Sequence, residues 1–234
     1  EIPLRLVGSE MCIRDSATTG RVGAVYLFDS GWAPYVSYAT SFAPEISADA
    51  ILKPSRGKQI EAGIRYQPPG KDVSYTAAVF DLVRQNVTTT APGMPGNVIQ
   101  TGEISSRGLE LEARAALTRS LNLIAQYTYL DTKITQSNYG DQGMQQLGAP
   151  KHSASVWGKY SFLLGGNFKS SAALGVRYTG AARSNLDENY LNLRNPSFTL
   201  LDAALGLDYG QWRFALNINL SLIHISEPTR RRGI

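Results

Sequence analysis

Through the middle of the chain, hydrophobic residues recur at every second position. In "KQIEAGIRYQ" Ile60, Ala62, Ile64 and Tyr66 share one face, and Gln59, Glu61, Gly63 and Arg65 share the other. "GLELEARAAL" sets Leu109, Leu111, Ala113 and Ala115 against Glu110, Glu112 and Arg114. "LNLIAQYTYL" sets Leu121, Leu123, Ala125, Tyr127 and Tyr129 against Asn122, Gln126 and Thr128, with Ile124 as the exception. "QWRFALNIN" repeats the pattern with Trp212, Phe214, Leu216 and Ile218. A period of two is that of a β-strand with one face sheltered from water, and no helical stripe of useful length interrupts it.

The alternation predicts an all-β, antiparallel meander of about ten strands, near 18–28, 32–42, 58–67, 72–86, 98–116, 121–134, 153–163, 169–181, 197–209 and 211–219. Most exceed the roughly 5–6 residues usual in soluble domains. Their connections alternate in length. "DSG", "PPGK", "TRS", "LGGN" and Gly210 are short, whereas 43–57, 87–97, 135–152 and 182–196 are long. In a meander, successive connections lie at opposite ends, so the tight turns share one rim and the long loops the other. Long strands, short turns on one rim, long loops on the other and an apolar face are the marks of an outer-membrane β-barrel. Lipid cannot satisfy a free strand edge, so a spanning sheet must close. The aromatics Tyr26, Phe28, Trp32, Tyr35, Tyr66, Tyr129, Phe162, Tyr178, Phe198 and Tyr209 suit interfacial girdles. A soluble sandwich or small barrel also alternates, and stays open as an alternative.

The two ends read differently. One permitted set of codons for Leu6–Ser16, "LVGSEMCIRDS", translates on the opposite strand as "LSLIHISEPT", which is Leu220–Thr229. Folding does not make two segments antisense to each other. We therefore read 1–16 and 220–234 as translations of one sequencing adapter flanking an insert, and 17–219 as a partial barrel domain. The single cysteine, Cys12, and one of the two histidines, His224, fall in those ends. A net charge of +4 is too mild and too dispersed to argue for nucleic acid, and no apolar run reaches the length of a spanning helix.

Seven stretches then carry a resemblance: "VYLFDSGWAPYVSYATSFAPE", "LKPSRGKQIEAGIRYQPPG", "YTAAVFDLVRQNVTT", "QTGEISSRGLELEARAALTRSLNLIAQYTYLDTKIT", "GAPKHSASVWGKYSF", "LGVRYTG" and "FTLLDAALGLDYGQWRFALNIN". In this order they resemble the C-terminal half of the barrel of TonB-dependent siderophore receptors, nearest the ferrichrome and hydroxamate branch. "GEISSRGLELEA" is the most telling piece. The resemblance implies a bacterial outer-membrane barrel of roughly twenty-two strands, enclosing an N-terminal plug domain. It implies a ferric siderophore as ligand, TonB as partner through an N-terminal region that this sequence lacks, and outer-membrane lipid around the wall. A passive porin or adhesin barrel, or a TonB-dependent importer of cobalamin or sugar, remains the alternative.

No catalytic constellation is expected, so the chain is not read as an enzyme, and no cofactor is called for. Glu110 and Glu112 are spaced to share a proton, but a charge network facing the lumen with Arg65, Arg107 and Arg114 accounts for them better. His152 stands without a second ligand, so no metal site is expected. The glycosylation triplet at Asn86 has no bearing in a bacterial envelope, and the glycines of "LLGGN" fit a turn. Ligand contact is expected from aromatic and Arg side chains in the extracellular loops, with Tyr139, Arg183, Tyr190 and Arg194 as candidates.

Overall fold

The computed structural model describes residues 18–44, 52–91, 94–138, 140–165, 168–184 and 194–222. Twelve strands appear in chain order: β1 Arg21–Val25, β2 Trp32–Ala43, β3 Ser55–Tyr66, β4 Val73–Ala91, β5 Met94–Ala116, β6 Leu121–Gln136, β7 His152–Leu164, β8 Phe168–Thr179, β9 Ala182–Arg183, β10 Arg194–Asn195, β11 Phe198–Tyr209 and β12 Trp212–Leu222. Ten form one antiparallel sheet in the order β1-β2-β3-β4-β5-β6-β7-β8-β11-β12, and β9 with β10 forms a small two-stranded ladder beside it. Every neighbour in the large sheet is also next in sequence, apart from the β9–β10 excursion between β8 and β11. The ten-stranded meander therefore stands as the alternation predicts, with nine long strands; β1, expected near 18–28, is the short one, at 5 residues.

The tight turns form as their residues require. Tyr209 pairs with Trp212 across Gly210 and Gln211, and a φ of 58° at Gly210 gives the two-residue hairpin the twist that a primed turn supplies. At Gly31, with φ 91°, an added Cβ would sit 2.2 Å from the Gln67 carbonyl oxygen, so neither the space nor the backbone admits a side chain.

One expected loop is not a loop. The span 87–97 lies almost wholly within strands: β4 and β5, 19 and 23 residues long, continue their ladder to Ala91↔Met94. The register shifts on either side of Val87, and Asn86, with φ 59°, sits at the irregularity. The run Val87–Thr90 opposite Val98 and Ile99 is β-branched, which favours continued pairing. A bulge absorbs the mismatch instead of ending the strands.

β12 also runs three residues past Asn219, pairing Leu220, Ser221 and Leu222 with Leu201, Leu200 and Thr199. Backbone ladder bonds do not read side chains, so this pairing neither needs nor excludes the adapter reading. The other residues assigned to the ends, 1–16 and 223–234, lie outside the described residues.

Register sorts the side chains into two faces. The row Ile64↔Ala77↔Leu111↔Tyr127↔Ala154↔Tyr178 is apolar, and the next row, Arg65↔Thr76↔Glu112↔Gln126↔Ser155↔Arg177, is polar. Ile124, the exception to the alternation, lies on the polar face opposite Trp157. Tyr35 and Phe198 are also on that face, opposite Gly63 and Thr179, which removes both from the expected girdles. No large side chain among the described residues is fully buried, and Leu111, Val156, Leu174, Phe214 and Leu216 all stand exposed. A single sheet with no second layer leaves both faces open.

Candidate functional site

The chemistry gathers in two places, the polar face of the sheet and the rim of long loops. On the polar face, β2 and β3 set Tyr35 beside Glu61, and the phenol donates to the carboxylate at 2.8 Å. The Gln59 amide donates to the other Glu61 oxygen at 3.0 Å. On β5, Arg114 pairs with Glu112 at 2.5 Å. Towards the loop ends of β8 and β11, Arg177 bonds Asp202 at 2.8 Å, and beside the β11–β12 turn Arg213 reaches both oxygens of Asp208 at 2.8 and 3.3 Å. The sheet thus presents fixed, paired charges on one side, an arrangement suited to holding polar surface against it.

Of the expected lumen network, the structure brings Glu112 and Arg114 together. Arg65 shares their face and lies in register with Glu112 across Thr76, and Glu110 lies one row above. Arg107 is a correction. It has the parity of Leu109 and Leu111, so it lies on the apolar face, where its Nε donates to Asp81 at 2.7 Å. The motif "SRGLELEA" invites grouping all its charges, but period two separates Arg107 from Glu110.

Three rings lie flat on the polar face, each over a glycine of the neighbouring strand. The register pairs are Tyr35↔Gly63, Phe80↔Gly108 and Trp157↔Gly175. A Cβ at Gly63 would meet the Tyr35 ring at 2.6 Å, one at Gly108 the Phe80 ring at 2.6 Å, and one at Gly175 the Trp157 ring at 2.1 Å. Each glycine lets a ring lie against the backbone and keeps that face low. No single-strand pattern reports these pairs, because each depends on which residue the register sets opposite.

At the loop rim, the 137–151 connection folds back on β6. Gly143 donates to the Ile134 carbonyl at 2.7 Å, Ile134 to the Met144 carbonyl at 2.9 Å, and the Gln146 amide to Thr132 Oγ1 at 3.3 Å. Arg183, on β9, ties this loop to the next. Its guanidinium donates to the Gln145 carbonyl at 3.2 Å, and its own carbonyl accepts from Gly148 at 3.0 Å. Only 8% exposed, with Nε unpartnered, Arg183 is a strut between loops and not a free arm. Arg194, in register with it on β10, is exposed. Tyr139 and Tyr190 lie outside the described residues. His152 sits on the apolar face, where its Nδ1 is 2.9 Å from the Tyr127 hydroxyl.

Comparison with known proteins agrees with this geometry. The family described as "TonB dependent receptor-like, beta-barrel" matches residues 11–219. The chain is 39% identical over 206 residues to the ferrioxamine receptor of Yersinia enterocolitica, covering 86% of this chain and 28% of that protein. It is 36% identical over 208 residues to the ferrichrome outer membrane transporter/phage receptor of Escherichia coli K12, covering 87% and 27%. The chain therefore spans less than a third of these relatives. In fold it superposes on the ferric yersiniabactin uptake receptor FyuA of Yersinia pestis with a TM-score of 0.70 at 19% identity, over 86% of this chain and 31% of that one. The siderophore receptor PiuA of Acinetobacter baumannii gives 0.68 at 24%, over 85% and 31%.

Proposed function

Because the chain belongs to the TonB-dependent receptor β-barrel family of the bacterial outer membrane, we propose that it is a stretch of the wall and mouth of a receptor that binds ferric siderophores and imports them with energy delivered through TonB. The observation that carries this reading is the sorting of side chains across ten strands: one side is apolar apart from the ion pairs made by Asp81 and Asp131, and the other is polar with fixed ion pairs. Such a sheet suits lipid outside and a hydrated interior within. The names of the relatives support a chelate of the ferrioxamine or ferrichrome kind as cargo.

In this reading the long loops form the extracellular mouth, and the cargo's iron arrives already wrapped, so side chains recognise the chelate and not the metal. Arg194, Tyr139 and Tyr190 are the proposed contacts. Arg183 acts through the loop it holds. The inward face, with Tyr35–Glu61, Glu112–Arg114 and Arg177–Asp202, lines the interior. TonB engages a segment outside this chain. For the ends, we propose that 1–16 and 220–234 are adapter translations, supported by their antisense relation; resequencing the source DNA with adapters trimmed tests it.

The functional test is uptake of radiolabelled iron by a receptor-deleted strain carrying the complete gene. Iron offered as ferrioxamine or ferrichrome should enter only when TonB is present. Solute entry independent of TonB would point to a passive pore, and TonB-dependent uptake of cobalamin or a sugar alone would replace the cargo.

A further inference from the structure

At the loop rim, side-chain bonds cross between strands at the level where the backbone ladders slip. The β4–β5 register shifts on both sides of Val87, and the β5–β6 register shifts between Glu103 and Ile104, beside the Gln85↔Glu103 pair. A bulge leaves a residue out of the ladder and lets the strand bend. Strand segments beyond the slips would swing against one another unless other bonds cross this level.

Glu103 supplies those bonds. Its Oε2 accepts from Gln85 Nε2 at 2.9 Å, and its Oε1 lies 2.9 Å from the Thr135 hydroxyl, which is also 3.1 Å from the Glu103 carbonyl oxygen. One carboxylate thus joins β4, β5 and β6. The chain of bonds continues both ways. Toward β3, Asn86 Nδ2 donates to the Pro54 carbonyl at 3.1 Å; Gln100 Nε2 donates to the Asn86 carbonyl at 3.2 Å, and its Oε1 accepts from the Lys53 amide at 2.5 Å. Toward β9, Gln142 Nε2 donates to the Thr135 carbonyl at 2.7 Å, and the two bonds of Arg183 hold the same loop. Arg183 in turn pairs in register with Arg194. From Lys53 to Arg194, residues of all four connections at this rim are joined.

We propose that Glu103 and Arg183 are positioning residues for ligand capture: they hold these connections as one hydrogen-bonded collar, so that a chelate seated against Arg194 also orders the β4–β5 hairpin. The inference rests on the loop rim being the receptor's mouth, as read above. Loops that move separately must each be ordered when a ligand binds, at a cost in conformational entropy. Joined loops share one ordering step. The coupling is reciprocal, so loosening the hairpin weakens a ligand held on the β9–β10 side.

The test is hydrogen–deuterium exchange and equilibrium binding on the complete receptor in mild detergent, with ferrioxamine B and ferrichrome as probes. E103A removes both carboxylate bonds. E103Q keeps them, because the amide presents its oxygen to Gln85 and its NH2 to the Thr135 hydroxyl oxygen. Without ligand, E103A should speed exchange about fivefold or more both in the hairpin beyond Gln85 and in 140–148. With ligand, the unsubstituted receptor and E103Q should protect both segments, and E103A should protect 140–148 alone. Affinity should fall about fivefold or more in E103A and R183A and stay within about twofold in E103Q. TonB-dependent uptake at saturating chelate should stay unchanged in all three, which a misfolded receptor would not give. Faster exchange confined to the hairpin, ligand protection of the hairpin in E103A, or equal loss of affinity in E103A and E103Q would each overturn the proposal. A receptor that binds neither chelate would refute the cargo proposed above, and the ligand-free exchange would still decide the collar.

Discussion

Aromatic side chains behave differently on the two faces of this sheet. On the outward face they stand in groups near the strand ends: Trp32 stacks on Tyr66 with centroids 4.2 Å apart, Tyr66 lies 6.4 Å from Tyr75, and Phe168 stacks on Tyr209 at 4.6 Å. On the inward face Tyr35, Phe80 and Trp157 each lie over a cross-strand glycine. The chemistry of the rings is the same; what meets them is not. Lipid flows around projecting rings, so an outward ring gains area by standing up among its neighbours. An interior of fixed charges and bounded space favours rings that lie flat. The glycines are therefore part of the inward design, and outward glycines should be dispensable.

The strongest way to break this contrast is to place a charge on each face. Leu111→Arg should destabilise the complete receptor by about 2–4 kcal/mol in urea unfolding from lipid vesicles, because the cation faces hydrocarbon. Gln126→Arg, one register row away on the inward face, should stay within about 0.5 kcal/mol. Similar costs at both sites would mean that the faces are misassigned.

A glycine pair sharpens the point about space. At Gly108 an added Cβ meets the Tyr129 carbonyl oxygen at 2.5 Å and the Phe80 ring at 2.6 Å. A backbone atom cannot step aside as a side chain can, so Gly108→Ala should cost about 1–3 kcal/mol. At outward Gly158 the nearest atom is Leu123 Cδ1 at 3.9 Å. There the alanine should be neutral or stabilise by about 0.4–1 kcal/mol through the unfolded chain. Loss of heat-modifiable migration on gels in both variants would remove the distinction.

The smallest effect compares two phenols. Tyr35→Phe removes the 2.8 Å bond to Glu61 while the ring still covers Gly63, for an expected loss of about 0.5–1.5 kcal/mol. Tyr127→Phe removes an outward bond to His152 at an exposed site and should lose less. Equal losses in chemical denaturation would show that the inward network is no more structured than the membrane-facing surface.

Much of this was legible beforehand. The positions of ten strands, the shared rim of tight turns and the faces of Leu109, Glu110, Leu111 and Glu112 follow from period two, which is a local property of each strand. The same parity also places Arg107 with Leu109; grouping it with Glu110 followed the motif instead of the period. The 87–97 hairpin was hidden by its polar threonines, which read as a loop until paired with β-branched residues opposite.

What the sequence by itself determined is the face on which each side chain of a strand stands, because successive residues of an extended chain point to opposite sides whatever pairs with them. What only the tertiary structure decided is the partner. Arg107 meets Asp81 from 26 residues away, and Arg183 meets Gln145 from 38. Phe80 finds Gly108, and Asp81, Arg107 and Asp131 fall into one line, only because one register holds across β3 to β6. Register is fixed cooperatively by ladder bonds between distant segments and by the bulges that adjust them. No one strand carries that information.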